Sequence, residues 1–464
     1  MKEISCKLLV IGAGPGGYAC AIRAGQLGID TVIVEAAKPG GTCLTIGCIP
    51  SKALIHAAEV FDATRQMAGG RNAMGIRVDQ PSIDLAGTMT WKDGIVGRLT
   101  SGVSGLLQKA RVKIVSGRAR FRDGKTVEVE TETGQQIVRA ETVVIATGSD
   151  PVELPALPFG GPVISSTEAL SLRQVPNRLI VVGGGYIGLE LGTAFAKLGS
   201  EVTVVEATAQ ILPIYDADLI KPVTRRLTER GIRLFTNTKA IGLSEKGDAL
   251  VVEGPDRRQE LPADHILVAV GRRPRSVGSG LEDLDLDRSG PYLRIDDRCR
   301  TSMRGVFAIG DVTGEPMLAH RAIAQGEMVA EIVAGKKRAW DKRSIPSICF
   351  TDPEIVSAGL SPAEARAQGY EVKVGQFPFT ANGRAMTMQD EDGFVRIVAR
   401  ADTNLILGLQ AVGSGVSELS AAFSLAIEMG ARLEDIAGTI HVHPTRSEAL
   451  QEAALKAMGH ALHI

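Results

Sequence analysis

The chain repeats one order of apolar and polar positions. Residues 8–35 read LLVIGAGPGGYACAIRAGQLGIDTVIVE, and residues 179–206 read LIVVGGGYIGLELGTAFAKLGSEVTVVE. Each passage opens on a short apolar run, the mark of a strand covered on both faces. A G-x-G-x-x-G turn follows, then a helix-like stretch, a glycine, and a second apolar strand ending in glutamate. The glycines are Gly12, Gly14 and Gly17 in the first passage and Gly183, Gly185 and Gly188 in the second; the acids are Glu35 and Glu206. Between the repeats, 51–110 predicts helix, and strands are predicted between 112 and 147. DPVELPALPFGGP, rich in proline and glycine, reads as a linker. Three more apolar runs stop at a glycine: VIATGSD (144–150), LVAVGRRP (267–274) and VFAIGDV (306–312). A strand ends so either where it meets a ligand or where it simply turns. AHRAIAQGEMVAEIVAG has the spacing of an amphipathic helix. After SIPSICFTDP the period falls to two, and YEVKVGQFPF, GFVRIVAR and LILGLQAVG predict antiparallel strands, followed by helical SELSAAFSLAIEMG and RSEALQEAALKAMG.

This order predicts an α/β chain with two Rossmann-like dinucleotide-binding domains and a C-terminal α+β domain that binds substrate or makes an interface. A length of 464 residues suits about three domains. The expected boundaries are 1–150 for the first part of the first domain and 151–271 for the second. A segment 272–343 is expected to complete the first site, and 344–464 to form the last domain.

The repeated pattern carries its own chemistry. The first glycine makes a tight turn, the second lets backbone approach a pyrophosphate, and the third lets helix pack on strand. The helix N-terminus offers free N–H groups and positive dipole to phosphate. The glutamate accepts hydrogen bonds from a ribose hydroxyl. Two such sites imply two dinucleotides, read as a bound flavin and a diffusing nicotinamide. Glu206 would repel a 2′-phosphate, and no arginine follows it in ATAQI, so the second site is predicted to prefer NAD to NADP. Asp311, just past a strand end, could hold polyol hydroxyls.

Charge changes the picture only by exclusion. Fifty-two basic and 53 acidic residues leave a net charge of −1, which gives no reason to expect nucleic acid or an anionic membrane as partner. The N-terminus lacks a signal-peptide pattern, and no unbroken apolar run reaches spanning length, so no membrane helix is expected. Six scattered cysteines do not form a secreted disulfide framework and point to a cytosolic or matrix-like compartment.

Two of those cysteines, Cys43 and Cys48, stand close together in GGTCLTIGCIP. A zinc site wants about four ligands, and no second local pair is present. Buried inert thiols remain an alternative. A structural bridge across so short a loop would stabilise little, whereas a short bent bridge is easily reduced. The pair follows soon after Glu35, so the favoured reading is a redox-active disulfide beside the flavin. Thiol exchange then needs a base, because an ordinary thiol is mostly protonated at neutral pH. His443 in HPTRSE is the candidate, with Glu448 five positions on to fix its tautomer. Thr445-x-x-Glu448 also matches a capping box, and His441, His460 and His463 are rivals.

GGTCLTIGCIPSK, the two glycine fingerprints, AIGDV and HPTRSE together resemble the pyridine nucleotide-disulfide oxidoreductases over essentially the whole chain. The resemblance implies FAD and NAD as cofactors. It implies Cys43 as the interchange thiol, Cys48 as the thiolate against the flavin and Lys52 near the flavin's reactive nitrogen. Glu35, Ala119, Gly148, Asp311 and the run Met317, Leu318, Ala319 and His320 would touch FAD. Glu190, Glu206, Ala240 and Gly271 would line the NAD site. It further implies a homodimer in which the partner's C-terminal dimerisation domain completes each site. The implied reaction is oxidation of protein-bound dihydrolipoamide to lipoamide by NAD+, within 2-oxo acid dehydrogenase complexes whose acyltransferase components carry the lipoyl domains. The setting would be a bacterial cytoplasm or an organelle matrix. Thr45-Ile46 and Arg446 depart from the common pattern of Asn-Val and Leu. A related reductase such as glutathione reductase would prefer NADPH, against Glu206. Mercuric reductase and the larger thioredoxin reductases would bring an extra C-terminal cysteine pair. A non-catalytic nucleotide-binding subunit would need neither the cysteine pair nor the His–Glu pair.

Overall fold

The computed structural model describes residues 2–68 and 72–464. The chain forms two compact units, one of Met1–Val175 with Val270–Asp341 and one of Pro176–Ala269 with Lys342–Ile464.

The first unit contains β1 (Lys2–Ile11), α1 (Pro15–Gln26), β2 (Thr31–Glu35), α2 (Gly41–Thr45), α3 (Cys48–Ala68), α4 (Leu85–Lys109), β3 (Lys113–Ser116), β4 (Arg118–Phe121), β5 (Thr126–Thr131) and β6 (Gly134–Ile145). Its sheet runs β3-β2-β1-β6-β5-β4, and the strand Val306–Ala308 also pairs with β6. β3, β2, β1, β6 and Val306–Ala308 are parallel, whereas β4 and β5 return antiparallel. The apolar run of β1 follows from being covered on both faces. Leu9 and Ile11 enter a core with Phe121, Val143 and Val306, whereas Leu8 and Val10 enter another with Cys20, Ala21 and Phe307. The helix Ala319–Val333 packs on α1 almost backbone to backbone. A Cβ at Gly326 would lie 2.3 Å from the carbonyl oxygen of Gly16.

The second unit begins with β7 (Arg178–Val182), α5 (Tyr186–Leu198), β8 (Glu201–Val205), α6 (Ala217–Glu229), β9 (Arg233–Phe235) and β10 (His265–Val268). These strands run parallel in the order β9-β8-β7-β10. An antiparallel three-stranded sheet lies within residues 239–262. The unit resumes with β11 (Ser347–Cys349), β12 (Glu354–Gly359), β13 (Val372–Pro378), α7 (Gly383–Thr387), β14 (Phe394–Arg400), β15 (Ile406–Gly413), α8 (Ser420–Glu428), α9 (Leu433–Gly438) and α10 (Glu448–Ala457). The period-two segments form an antiparallel sheet in the order β11-β12-β15-β14-β13, over a core that includes Phe377, Phe379, Phe423, Leu409 and Ala453.

One expectation about membranes needs correction. The helical stretch Gly41–Ala68 is long and apolar enough to cross a bilayer by length and composition, although no apolar run in it is unbroken. Scattered polar residues such as Ser51, Lys52 and His56 interrupt the apolar run without removing its apolar character. Ala53, Leu54, Ile55 and Ala58 of α3 are buried inside the protein, as in an ordinary core helix.

Buried charge joins the two segments of the second unit. Lys197 of α5, only 5 % exposed, and Arg230 reach Asp352 Oδ2 at 3.1 and 2.6 Å. Arg396 of β14 pairs with Asp216, and the buried carboxylate of Glu190 accepts from the Phe350 N–H at 2.9 Å. Burial pushes the Asp352 carboxyl up, but Lys197, Arg230 and Arg226 outweigh it and hold the group below the usual carboxylate range. Asp352→Asn removes the carboxylate that Lys197 and Arg230 share, and breaking such a buried pair costs about 3–5 kcal/mol. The thermal unfolding midpoint at pH 7 is expected to drop accordingly. Because the folded pKa is depressed, the carboxylate's contribution is complete above the unfolded value of about 3.9 and is lost as pH falls through the folded one. Unfolding midpoints scanned from pH 7 to 3 should therefore converge for wild type and variant at the acid end.

Candidate active site

Each glycine turn is closed by contacts that only glycine permits. Gly12 has φ +99, and a Cβ there would meet the Ala146 carbonyl oxygen at 2.3 Å. A Cβ at Gly17 would meet the Gly12 carbonyl oxygen at 1.9 Å, and one at Gly188 would meet that of Gly183 at 2.3 Å. Gly14 and Gly185 are the N-caps of α1 and α5, and neither helix has a side-chain cap bond. No side chain of the cap thus claims the helix N–H groups, as a pyrophosphate site requires. The acids brace the turns. Glu35 Oε2 accepts from the Ala13 N–H at 2.6 Å, and Glu206 Oε2 accepts from the Gly184 N–H at 2.7 Å. Their other oxygens accept from Ala37 at 2.9 Å and from Thr208 at 2.7 Å. Arg233 is turned away from Glu206, onto Thr203 and Glu201. The donor sets fit FAD at the first turn and NAD, without a 2′-phosphate, at the second.

The cysteine helix rests on the first of these turns. The Gly40 N–H donates to the Ala13 carbonyl at 2.8 Å, and a Cβ at Gly41 would lie 2.5 Å from Gly14 Cα. Cys43 lies in α2 and Cys48 opens α3, with the chain reversing at Ile46–Gly47. Thr45, one of the unusual residues, turns its hydroxyl back to the Gly41 carbonyl at 2.7 Å and leaves the cysteines alone. Cys43 is half-buried and Cys48 exposed, and their side chains are close enough to hydrogen-bond. That bond, then burial, then the charge of its neighbour push the Cys43 thiol well above its ordinary range, while Lys52 works in the opposite direction. Cys48 sits at the positive end of a 21-residue helix, where negative charge is favoured.

The remaining candidates fall into two groups. In the first unit, Gly148 adopts φ +75, and Asp311 accepts from the Ser149 hydroxyl at 2.6 Å while Arg272 donates to that same hydroxyl at 2.8 Å. Met317, Leu318, Ala319 and His320 form the start of Ala319–Val333, whose N-cap, Leu318, has no side-chain cap bond. Ala119 lies on β4, and Gly271 has φ +128. In the second unit, Ala240 lies on the strand Lys239–Leu243, and Glu190 is buried in α5.

His443 and Glu448 come together as the spacing suggested. His443 Nδ1 lies 2.8 Å from Glu448 Oε1, in a side chain 79 % exposed, next to a cis His443–Pro444 peptide. Glu448 Oε2 accepts from the Thr445 N–H at 2.7 Å. Only this half of the expected capping box forms. Ser447 is the N-cap of α10, and the Thr445 hydroxyl donates instead to the Val442 carbonyl at 2.7 Å. Burial raises the Glu448 carboxyl, but the Thr445 N–H and His443 bring it below the usual range. Among the rivals, His441 Nδ1 meets the Thr439 carbonyl, whereas His463 Nδ1 lies 2.6 Å from Glu452 Oε1 and forms a second His–carboxylate pair. Sequence spacing missed that pair and also Asn382, which contacts the His443 loop; its place before a short helix was the one available signal.

Dinucleotide turns with a dithiol against the first define a flavin-dependent disulfide oxidoreductase. Residues 6–326 match the family described as pyridine nucleotide-disulphide oxidoreductase, and 345–454 match its dimerisation domain. The chain belongs to this family; its cofactors are FAD and NAD, and its C-terminal part is the dimerisation domain. It is 60% identical over 462 residues to a dihydrolipoyl dehydrogenase of Pseudomonas aeruginosa, covering 99% of each chain. It is 43% identical over 464 residues to one of Geobacillus stearothermophilus, covering 99% of this chain and 98% of that one. Among solved structures, LpdA from Mycobacterium tuberculosis superposes with TM-score 0.89 at 27% identity, covering 98% of this chain and 100% of the other. The HOCl-induced flavoprotein disulfide reductase RclA from Escherichia coli does so with TM-score 0.85 at 25% identity, covering 97% and 99%.

Gly188→Ala places a methyl 2.3 Å from the Gly183 carbonyl, so the second turn must open. The variant is expected to stay yellow with bound FAD while NADH binding, measured by titration, weakens tenfold or more.

Proposed function

We infer that the chain oxidises protein-bound dihydrolipoamide to lipoamide and passes the electron pair to NAD+. The observation that carries this reading is a dithiol packed on the first dinucleotide turn, in a chain that also holds a carboxylate-braced imidazole. The dihydrolipoyl dehydrogenase activity of the Pseudomonas and Geobacillus relatives supports it over a glutathione reductase, as does Glu206 over an NADP-type site.

His443, with its tautomer fixed by Glu448, takes a proton from one substrate thiol. The substrate thiolate attacks Cys43 of the oxidised Cys43–Cys48 pair, and Cys48 leaves as thiolate. The second substrate thiol then displaces Cys43, which closes lipoamide and leaves the enzyme pair reduced. Lys52 offsets negative charge on that pair. FAD held at the first glycine turn would supply the two-electron chemistry that links the reduced pair, through Cys48, to NAD+. In this reading Ala119, Gly148, Asp311 and residues 317–320 hold FAD, and Glu190, Ala240 and Gly271 help Glu206 hold NAD. The enzyme works as a homodimer in which the second subunit's C-terminal domain brings the base, its partners being lipoyl domains of acyltransferase components. The scattered placing of Cys6, Cys20, Cys299 and Cys349 along the chain fits the cytoplasm.

NADH formation from dihydrolipoamide, with NADP+ in parallel, tests the assignment; activity with glutathione disulfide and NADPH instead would replace it. His443→Gln is expected to slow dihydrolipoamide oxidation by about 10²–10⁴-fold. Transfer from NADH through the flavin to an artificial acceptor should be unchanged, and equal loss of both would remove His443 from the base role.

A further inference from the structure

His443 is held by little of its own. Its ring is mostly exposed, and its Nδ1 bond to Glu448 fixes direction without fixing the backbone that carries it. The grip lies two residues on. The Thr445 N–H is taken by Glu448 Oε2 at 2.7 Å, and the Thr445 carbonyl is taken by Asn382 Nδ2 at 3.0 Å. Thr445 is thus fastened to α10 on one side and to the start of α7 on the other.

Asn382 is only 3 % exposed and uses both ends of its amide. Oδ1 accepts from the Ala385 N–H at 3.0 Å and caps α7, while Nδ2 donates to Thr445. The two partners, a donor and an acceptor, fix which end is which. Its own N–H donates to the Phe379 carbonyl at 3.0 Å, so the residue is anchored in the core on which it stands. Arg446 adds a second fastening from the same segment. Its guanidinium lies 5.0 Å over the Phe379 ring, and Nη2 donates to the Asp390 carbonyl at 3.1 Å.

We propose that Asn382 is a positioning residue for the catalytic base, acting through the Thr445 carbonyl to set where the His443 imidazole stands. The inference rests on the reading of His443 as base. Proton transfer demands hydrogen-bond reach, and a displacement of about 1 Å far from the chemistry can cost about 10²-fold.

Capping and positioning separate in one substitution. Asp caps a helix as well as Asn does, but a carboxylate has nothing to donate to Thr445. Asn382→Asp should keep the thermal midpoint within a few degrees and lower kcat/KM for dihydrolipoamide tenfold or more. The NADH-to-acceptor activity should stay within twofold of wild type. Asn382→Ser, which can cap but falls short of Thr445, should do the same if the Asp variant folds poorly. Introduced into His443→Gln, Asn382→Asp should cost less than a further twofold, since there is no longer a base to position. Wild-type turnover in both Asp and Ser variants would reduce Asn382 to a cap and overturn the proposal. So would an undiminished tenfold loss in the His443→Gln background. Wild-type turnover in His443→Gln itself would instead overturn the base assignment.

Discussion

A side chain at Gly17 would put its first carbon 1.9 Å from the Gly12 carbonyl oxygen, well inside contact distance. This close passage of helix over turn aims the α1 N-terminus outward and keeps its first amides unclaimed. It also fixes Gly14, and Gly41 stacks on Gly14 with no room for a methyl group between them. The cysteine helix is thereby positioned by backbone contact as well as by Leu44 in the core. The same passage at Gly188 and Gly183 serves the other nucleotide, with Glu206 repeating the part of Glu35. Much of the site geometry is a consequence of where a Cβ cannot go.

The proton traffic follows from the two environments. Half-burial and a sulfur neighbour make Cys43 reluctant to ionise, so exchange at that sulfur needs outside help. The His443 ring is largely exposed, and the Thr445 N–H and the imidazole hold its carboxylate partner below the usual range. In the proposed reaction the guarded thiol and the exposed imidazole have separate tasks.

What could be read from sequence was what lay close in sequence. The glycine turns, their acids, the cysteine pair and His443 with Glu448 each fall within a short window, and their side-chain chemistry restricts the choices. The period change after residue 350 likewise announced antiparallel strands, which β13, β14 and β15 form. Long-range contacts left no such trace. Asn382 meets Thr445 across 63 positions and Glu190 meets Phe350 across 160, and nothing in either local pattern names the other partner. The Thr445 capping box failed for a local reason: the helix starts only at Glu448, with Ser447 as its N-cap, too late for the Thr445 hydroxyl to cap it. Arg446, conspicuous only as an odd residue, finds its purpose in the Phe379 ring and the Asp390 carbonyl.

The family divides this chain at a point between residues 326 and 345, yet the second compact unit straddles that division. Asp352 lies beyond it while Lys197 and Arg230 lie before it, and Arg396 and Asp216 are parted in the same way. Heritable modules and folding modules therefore do not coincide here. A chimera that exchanged the C-terminal segment for a relative's would swap half of a buried charge network, and its success would turn on whether the donor carried an acid at the position of Asp352 and an arginine at that of Arg396.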